Sequence, residues 1–266
     1  VFRFKQGMSA EQALAAAQEE AAQKLAQHHA ELAAVIIEPL MQGAAGMWDH
    51  PVEYVRTLRQ LTKQYNILLI CDEVATGFGR TGKMFACEHA EMSPDLFCVA
   101  KGITGGYLPL AATLATENIF SAFLAPYEEF KTFFHGHTYT GNPVACTAAL
   151  ASLEIFENEH VIDKLQPKIA LLTERLKTDF AALPHVADVR QWGMMVGIEL
   201  MRDPDKKVAY APVEKIGIQV IQEARKHGVL IRPLGGIIVL MPPLSITQDE
   251  LTRLLDVTHN AILTAT

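Results

Sequence analysis

Two apolar segments of the sequence each end in residues that could do chemistry. The first, Ile67–Cys71, runs into Asp72 and Glu73. The second, Leu96–Ala100, runs into Lys101. Continuous apolar runs of this length are typical of buried parallel strands. Because open α/β sheets bind ligands beyond the carboxyl ends of such strands, we expect a carboxylate and an amine to face one crevice.

Two other interpretations of these residues stay open at this point. Asp72 could cap the turn that follows it, with Lys101 a solvated surface residue. Alternatively, the acidic pair could hold Mg²⁺ in a nucleotide triphosphatase, since Gly77–Lys83 matches most of a phosphate-binding P-loop. Met84, however, stands where that loop needs Ser or Thr for the metal. The glycine-rich loop also follows the acidic strand directly, so one segment would have to serve both roles.

A third interpretation, a site for pyridoxal 5′-phosphate (PLP), gives both residues a role. PLP chemistry needs a lysine that forms a Schiff base and an acid that keeps the pyridine nitrogen protonated. Lys101 and Asp72 fit these roles if the strand order brings the two ends together. Lys101 would then also carry a proton between Cα of the substrate and C4′ of the cofactor. We expect this lysine to be buried, with the adjacent Gly102 allowing close approach to a planar ring.

The residues around these strand ends form longer motifs. Asp72–Gly82 reads Asp-Glu-Val-Ala-Thr-Gly-Phe-Gly-Arg-Thr-Gly, and Lys101 with a glycine follows downstream. This combination resembles the motifs of class III aminotransferases, and the resemblance runs from about Val35 to the C-terminus. It implies an α/β fold, that of the fold type I PLP transferases, in which a large domain with a mostly parallel sheet precedes a smaller α/β domain. We expect residues 1–158 to belong to the large domain and residues 159–266 to form the small one.

The resemblance also implies roles for further residues. Val74 would pack on one face of the pyridine ring. In a His-Gly-His-Thr segment, Thr138 would bind the PLP phosphate of the neighbouring subunit, His137 would contact the cofactor and Gly136 the substrate. Arg232, in an Ile-Arg-Pro motif, would hold the substrate carboxylate through two parallel hydrogen bonds. A phosphate ligand from the neighbouring subunit implies a homodimer with shared active sites.

Shorter motifs narrow the resemblance to the biotin-pathway branch of the family. Phe85–Ala90 and Lys101–Gly106 are similar to that branch, which transfers an amino group to 8-amino-7-oxononanoate and gives 7,8-diaminononanoate. Ala75 agrees with it, because the wider class commonly carries glutamine there. Val239 departs from the S-adenosylmethionine-using members, which carry tyrosine, and Gly106–Leu110 is closer to lysine-using members. The amino donor is therefore S-adenosylmethionine or lysine, and another ω-amino acid aminotransferase or an aminomutase stays an alternative.

Composition limits the other classes of function. The chain has 266 residues, of which 50% are hydrophobic and 20% charged, as in ordinary globular proteins. Its net charge of −7 and the lack of a long basic run argue against nucleic acid as a partner. Four cysteines without Cys-x-x-Cys spacing predict reduced thiols in a cytoplasmic protein. No signal peptide or membrane-length apolar run is present in the sequence, and His135 and His137 lack a third ligand for a metal.

Local patterns predict the elements that position these residues. Ser9 with Gln12, and Thr247 with Glu250, form capping-box patterns, and Asn142 precedes a proline as helix N-caps often do. The predicted helices cover residues 9–34, 51–65, 142–158, 161–183, 212–227 and 247–264. Besides the two strands above, the predicted strands cover residues 35–37, 108–114, 186–191, 195–201, 229–233 and 237–240.

The first residues lack two features of the resembled family. That family carries a phosphate-binding Gly-Ser helix start and a ring-stacking aromatic residue in its N-terminal half. Neither is found ahead of Val35, and the chain begins at Val1 without methionine. We therefore expect the C-terminal part of a longer enzyme, which alone binds PLP weakly or not at all. A catalytically silent folded module is the alternative.

Overall fold

The computed structural model describes residues 8–266 and shows a mixed α/β fold, which confirms the predicted fold class. Within these residues the α-helices are α1 (Ala10–His28), α2 (Val52–Gln64), α3 (Glu117–Ser121), α4 (Pro143–Asn158), α5 (Val161–Arg175), α6 (Ile216–Lys226) and α7 (Gln248–Ala265). The strands are β1 (Ala34–Ile37), β2 (Met41–Gln42), β3 (Trp48–Asp49), β4 (Leu68–Asp72), β5 (Leu96–Val99), β6 (Ala112–Ala115), β7 (Val186–Trp192), β8 (Met195–Asp203), β9 (Val208–Ala209), β10 (Arg232–Leu234) and β11 (Ile237–Leu240).

The helix starts follow the predicted caps. The Ser9 side chain accepts a hydrogen bond from Gln12 N, and the Thr247 side chain accepts one from Glu250 N. Asn142 accepts from two backbone N–H groups at the start of α4. These bonds satisfy donors that a helix leaves unpaired in its first turn, so short-range sequence patterns sufficed to locate these helix starts.

Several predicted ends were wrong. Helix α1 ends at His28 rather than near residue 34, because the chain turns there into β1. Strand β6 begins at Ala112, four residues later than predicted; Pro109 has no N–H for a strand ladder, and Leu108 O instead accepts from Thr104 Oγ1 at 2.6 Å. The helix predicted from 212 starts at Ile216, after a short 3₁₀ turn and a left-handed residue at Lys215.

The chain forms two compact units. The first contains the described residues up to Leu40, His50–Phe78 and Lys83–His160. The second contains Met41–Asp49, Gly79–Gly82 and Val161–Thr266. The division into a large and a small domain at residues 158 and 159 stays a prediction.

A four-stranded sheet organises the first unit, with the order β1-β4-β5-β6. The first three strands run parallel and β6 runs antiparallel beside β5. Helix α2 packs on β4 through a buried face that includes Val55 and Leu58. Arg59 of α2 holds Asp95 with bonds of 2.6 and 3.1 Å, and Asp95 Oδ2 also accepts from Leu69 N of β4. This carboxylate ties α2, β4 and the start of β5 together.

The second unit is built on an antiparallel sheet with the order β10-β11-β8-β7, to which β9 adds beside β8. Its core contains aliphatic side chains of β8, β11, α5, α6 and α7. The hairpin β2–β3 belongs to this unit through Arg190 of β7, which is 3% exposed. The Arg190 guanidinium bonds to Glu199, Asp188 and Gly46 O and lies 4.3 Å from the ring centre of Trp48. The side chain thus fixes the hairpin on the sheet.

Candidate active site

The two strands that carry the candidate catalytic residues are parallel neighbours. Asp72, the last residue of β4, pairs with Cys98 of β5, and Glu73 N donates to Cys98 O at 2.9 Å. Lys101 follows Cys98 by three residues. Since strands lie about 4.8 Å apart and an extended residue spans at most about 3.6 Å, the Cα atoms of Asp72 and Lys101 are at most about 16 Å apart. The two strand ends therefore lie at the same edge of the sheet, as the PLP interpretation requires.

The Asp72 carboxylate is held by the backbone that follows it. Val74 N donates to Asp72 Oδ1 at 3.0 Å, which closes a local turn at the end of β4. Asp72 and Val74 are both partly buried. One carboxylate oxygen is therefore fixed in orientation, and the group keeps acceptor capacity for another partner.

Glu73 has a structural role that the sequence did not predict, since the sequence offered it only as part of an acidic pair for Mg²⁺. Its side chain is fully buried, and its two carboxylate oxygens accept from Ala86 N at 2.6 Å, Cys87 N at 2.8 Å and Thr76 Oγ1 at 3.3 Å. Burial raises the pKa of Glu73, and the two backbone N–H groups counter part of that effect. The carboxylate closes the loop between residues 73 and 87. Its partners lie up to 14 residues away along the chain, so no local pattern could reveal this role.

Lys101 begins a short 3₁₀ segment that ends at Thr104. Its φ of 49° places it in the left-handed region, which is unfavourable for a residue with a side chain. The expectation that Lys101 is buried was wrong, because its side chain is exposed within residues 8–266. The neighbouring strand β6, at the edge of the sheet, is exposed at all four of its residues.

The His-Gly-His-Thr segment lies in an exposed loop ahead of α4. Gly136, His137 and Thr138 are all exposed. His137 N donates to Thr140 Oγ1 at 2.9 Å, and Tyr139 N donates to His137 Nδ1 at 3.1 Å, so the loop is locally ordered.

Helix α4 shows how this loop stands relative to Lys101. Ser152 Oγ of α4 donates to Gly102 O at 3.4 Å, next to Lys101. Ser152 lies nine residues beyond Pro143, so the start of α4 is about 14 Å away along the helix axis. The contacts within the first unit bring Asp72 and Lys101 to one edge, whereas they hold the start of α4, which Thr138 precedes, at a distance from it.

Arg232 belongs to the second unit. It is the first residue of β10, is exposed, and pairs across the antiparallel ladder with Val239 of β11. Directly paired residues of an antiparallel ladder place their side chains on the same face, with Cβ atoms about 5 Å apart. Val239, where the sequence analysis expects tyrosine in S-adenosylmethionine-using members, therefore lies beside Arg232, the candidate carboxylate-binding residue.

Other features of the described residues bear on the class of function. Within residues 8–266, no cluster of three or more His, Cys, Asp or Glu side chains is arranged so that it could hold a metal ion. None of the helices in the same range is long and apolar enough to cross a bilayer. All four cysteines are free thiols, with Cys71 and Cys87 buried. Burial raises the pKa of Cys71 to about 12, so that thiol stays protonated at neutral pH.

Comparison with known proteins identifies the family. The family model described as aminotransferase class III matches residues 3–262. The chain belongs to this family. It is 54% identical over 248 residues to the adenosylmethionine-8-amino-7-oxononanoate aminotransferase of Nitratidesulfovibrio vulgaris, in a match covering 92% of this chain and 45% of the relative. This class III chain therefore spans about half the length of the curated relatives it matches.

Solved structures of class III aminotransferases and other transaminases share the fold. The crystal structure of adenosylmethionine-8-amino-7-oxononanoate aminotransferase from Methanocaldococcus jannaschii superimposes with a TM-score of 0.90 at 46% identity, over 93% of this chain and 57% of that one. The aminotransferase of Vibrio fluvialis, solved in its PMP-bound form, gives a TM-score of 0.90 at 26% identity, over 98% of this chain and 57% of that one. These matches confirm that the α/β architecture is that of fold type I transaminases.

Proposed function

We propose that this chain carries the catalytic lysine of a PLP-dependent aminotransferase that converts 8-amino-7-oxononanoate to 7,8-diaminononanoate in biotin synthesis. One observation supports this most strongly: two neighbouring parallel strands deliver Asp72 and Lys101 to the same sheet edge. The identity of 54% to a relative named for this reaction supports the choice of substrate.

The residues at this edge fit the cofactor. A pyridine nitrogen needs a carboxylate that stays ionised and oriented, and Asp72 has one oxygen fixed by Val74 N at 3.0 Å. An amine on the four-carbon stem of Lys101, following the adjacent strand, can approach the other side of a ring held by Asp72. Val74, two residues beyond Asp72, would cover one face of the ring. The orientation of Asp72 and the positions of Lys101 and Val74 along the chain are set by the protein itself, without a bound cofactor.

In the proposed mechanism each of these residues has a physical task. PLP, when bound, withdraws electrons from Cα of the amino substrate and so makes its proton acidic. Asp72 would keep a proton on the pyridine nitrogen by placing a negative charge beside it. Lys101 would have two tasks: its Nζ would hold the cofactor covalently and, once the substrate amine has replaced it, would carry a proton between Cα of the substrate and C4′ of the cofactor. Glu73 keeps the loop after Asp72 closed.

The substrate end of the proposal rests on Arg232. A guanidinium can bind a carboxylate with two parallel hydrogen bonds, and 8-amino-7-oxononanoate ends in a carboxylate. Arg232 pairs with Val239, so a valine, which is smaller than the tyrosine expected in S-adenosylmethionine-using members, lies beside Arg232. We propose that this position selects between S-adenosylmethionine and lysine as the amino donor. Comparing both donors with the natural gene product and its Val239→Tyr variant tests this; an unchanged donor preference would contradict it.

A second copy of the chain is part of the proposal. Thr138, with Gly136 and His137 beside it, is assigned to the phosphate of the neighbouring subunit. The exposure of this loop supports the assignment. Large apolar side chains nearby are also exposed, among them Phe134 at 82% and Val144 at 66%. Such a surface is typical of an interface. Sedimentation at increasing concentration tests this self-association.

The test of the cofactor site is covalent trapping at individual lysines. The natural gene product is mixed with PLP and reduced with borohydride, and the modified fraction of each lysine is measured by peptide mass spectrometry. We expect Lys101 to be modified faster than Lys207, an exposed lysine whose backbone also has a left-handed φ of 54°. Asp72→Asn should reduce the modification at Lys101 only. Equal rates at the two lysines would refute the assignment of Lys101.

The substrate is tested with the natural gene. A bacterial strain that lacks its own diaminononanoate synthase should grow without biotin when it carries that gene, and should not grow when the gene carries Lys101→Ala. Growth with the Lys101→Ala version would contradict the proposal. Failure of the unaltered gene, with Lys101 trapping intact, would favour another ω-amino acid aminotransferase or an aminomutase.

A further inference from the structure

Lys101 is held in an unfavourable backbone conformation, and something in the fold must hold it there. Its φ of 49° is one that residues with a side chain rarely adopt. Strained residues of this kind persist only where the surrounding structure over-determines them. Lys101 is itself exposed, whereas Gly102, the next residue, is partly buried.

The residue after Lys101 is pressed against one aromatic side chain. A Cβ atom built on Gly102 would lie 2.7 Å from Cβ, 3.0 Å from Cδ2 and 3.1 Å from Cγ of Phe78. These are the three heavy atoms nearest to that position, and all belong to one residue. Gly102 is therefore in contact with Phe78 at a distance that no other residue type could accept without a shift. On another side, Gly102 O accepts from Ser152 Oγ at 3.4 Å.

Phe78 is rigidly supported. It is 4% exposed and itself has a left-handed φ of 55°. Its ring meets Phe85 edge to face with centroids 5.4 Å apart, and Phe85 in turn meets Phe97 of β5 at 4.8 Å. The ring of Phe156, in α4, is tilted against the Phe78 ring, with centroids 6.3 Å apart. Because it is buried among these rings, Phe78 cannot easily move away from Gly102.

The turn that delivers Phe78 starts at the strand that ends in Asp72. Gly77 N donates to Glu73 O at 3.0 Å, and a Cβ on Gly77 would lie 2.8 Å from the same oxygen. The buried Glu73 carboxylate fixes this turn through Ala86 and Cys87. The contact of Phe78 with Gly102 therefore joins the segment after one strand end to the segment after the other.

We infer that Phe78 is a positioning residue for Lys101, which it holds in the left-handed conformation by pressing on Gly102. The inference rests on the proposed function for the role of Lys101, but the contact itself does not depend on it. Phe78 sets the direction in which the lysine side chain leaves the backbone. Without the Phe78 side chain, the segment 101–104 relaxes towards a common backbone conformation and the amine leaves its working position.

The first experiment compares Phe78→Gly with Phe85→Ala. Both remove a ring from the same cluster. Only Phe78→Gly removes Cβ, Cγ and Cδ2 of Phe78, the atoms nearest to Gly102, and glycine accepts the left-handed φ of 55° at residue 78. The backbone ¹³C chemical shifts of Lys101, which report its φ and ψ, are measured with lysine-labelled chain in the absence of cofactor. We expect them to move in Phe78→Gly and to stay in Phe85→Ala. Unchanged shifts in Phe78→Gly would overturn the inference.

The second experiment measures borohydride trapping of PLP at Lys101 in the natural gene product with the same two changes. Since misplacement of a reacting group by about 1 Å can cost up to about a hundredfold in rate, we expect the trapping rate to fall at least about tenfold in Phe78→Gly. In Phe85→Ala the fall should be smaller. Equal falls in the two variants would assign both rings a structural role only and overturn the inference.

A third comparison keeps the inference testable if Phe78→Gly does not fold. Gly102→Ala changes the same contact from the other side and should move the Lys101 shifts and lower trapping, and unchanged shifts would overturn the inference. Where Phe78→Gly folds, adding Gly102→Ala to it should have no further effect, because the atoms that the new Cβ would meet are gone. Effects that multiply independently would overturn the inference. If Lys101 of the natural gene product traps PLP no faster than Lys207, the proposed function fails, whereas the chemical shifts still decide the role of Phe78.

Discussion

The buried carboxylate of Glu73 gives the sharpest stability prediction. In Glu73→Gln one carboxylate oxygen becomes an NH₂ group, which donates and cannot accept. The remaining oxygen can serve Ala86 N or Cys87 N, which the carboxylate now binds at 2.6 and 2.8 Å, but not both in the present geometry. One buried N–H group is then left facing another donor.

The expected change in the free energy of unfolding follows from the loss of one hydrogen bond and the one N–H group left unpaired. A hydrogen bond to a charged group contributes roughly 1.5–3 kcal/mol, and an unpaired buried donor costs about 1–3 kcal/mol. Removing a charge that burial disfavours offsets part of this loss, as the raised pKa of Glu73 indicates. We expect a net destabilisation of about 2 kcal/mol, with the loop 73–87 affected first.

Two measurements check this prediction. Urea unfolding followed by circular dichroism gives the free energy of unfolding, and hydrogen exchange of peptides covering residues 83–90 gives the local effect. At 1.4 kcal/mol for each tenfold change, 2 kcal/mol corresponds to exchange about 30-fold faster. The matched control is Glu88→Gln, since exposed Glu88 accepts from Phe85 N at 3.0 Å and glutamine can keep that bond. The control should stay within about 0.5 kcal/mol. A destabilisation of less than about 0.5 kcal/mol in Glu73→Gln would refute the role of the Glu73 carboxylate in closing this loop.

Two further predictions concern a buried histidine and a strained glycine. Burial lowers the pKa of His50 to about 4, and its Nε2 accepts from Leu40 N at 2.9 Å. Because unfolded histidine has a pKa near 6.5, this stability is present above that pH and about 3 kcal/mol of it is lost as the pH falls to about 4. Urea titrations from about pH 7 to about pH 4 should show a smaller loss in His50→Gln, and equal losses would contradict the assignment. Gly193 has a φ of 55° and would place a Cβ 2.6 Å from Arg80 O, so Gly193→Ala should cost at least about 3 kcal/mol in thermal unfolding. Gly235→Ala, with a φ of 60° and nothing within 4 Å, should cost only about 1 kcal/mol, and similar costs for both would exclude the contact as the cause.

The helix starts and the two strand ends could be predicted because their causes are local. Ser9, Asn142 and Thr247 each satisfy backbone donors two or three residues ahead, so a short window contains the whole interaction. The strands before Asp72 and Lys101 could also be predicted locally, since continuous apolar runs are typical of parallel strands. The motifs from residue 72 onwards indicated the family, and the comparison with known proteins confirmed it.

The prediction that Lys101 is buried failed for a reason that a short stretch of sequence cannot contain. Lys101 is exposed because the neighbouring edge strand β6 and the residues around it are exposed within the described chain. Whether a side chain is covered depends on which distant segments pack over it. A glycine beside the lysine shows that the backbone is closely approached, but not by what.

The sequence by itself determined which residues could do chemistry and which local elements carry them. Only the tertiary structure decided that β4 and β5 are parallel neighbours, that Glu73 closes the loop through Ala86 and Cys87, and that Phe78 presses on Gly102. Each of these contacts joins residues that lie 13 to 26 positions apart in the chain. Such contacts form when the sheet brings separate segments together, because local periodicity fixes the face of a strand but not the identity of its neighbour.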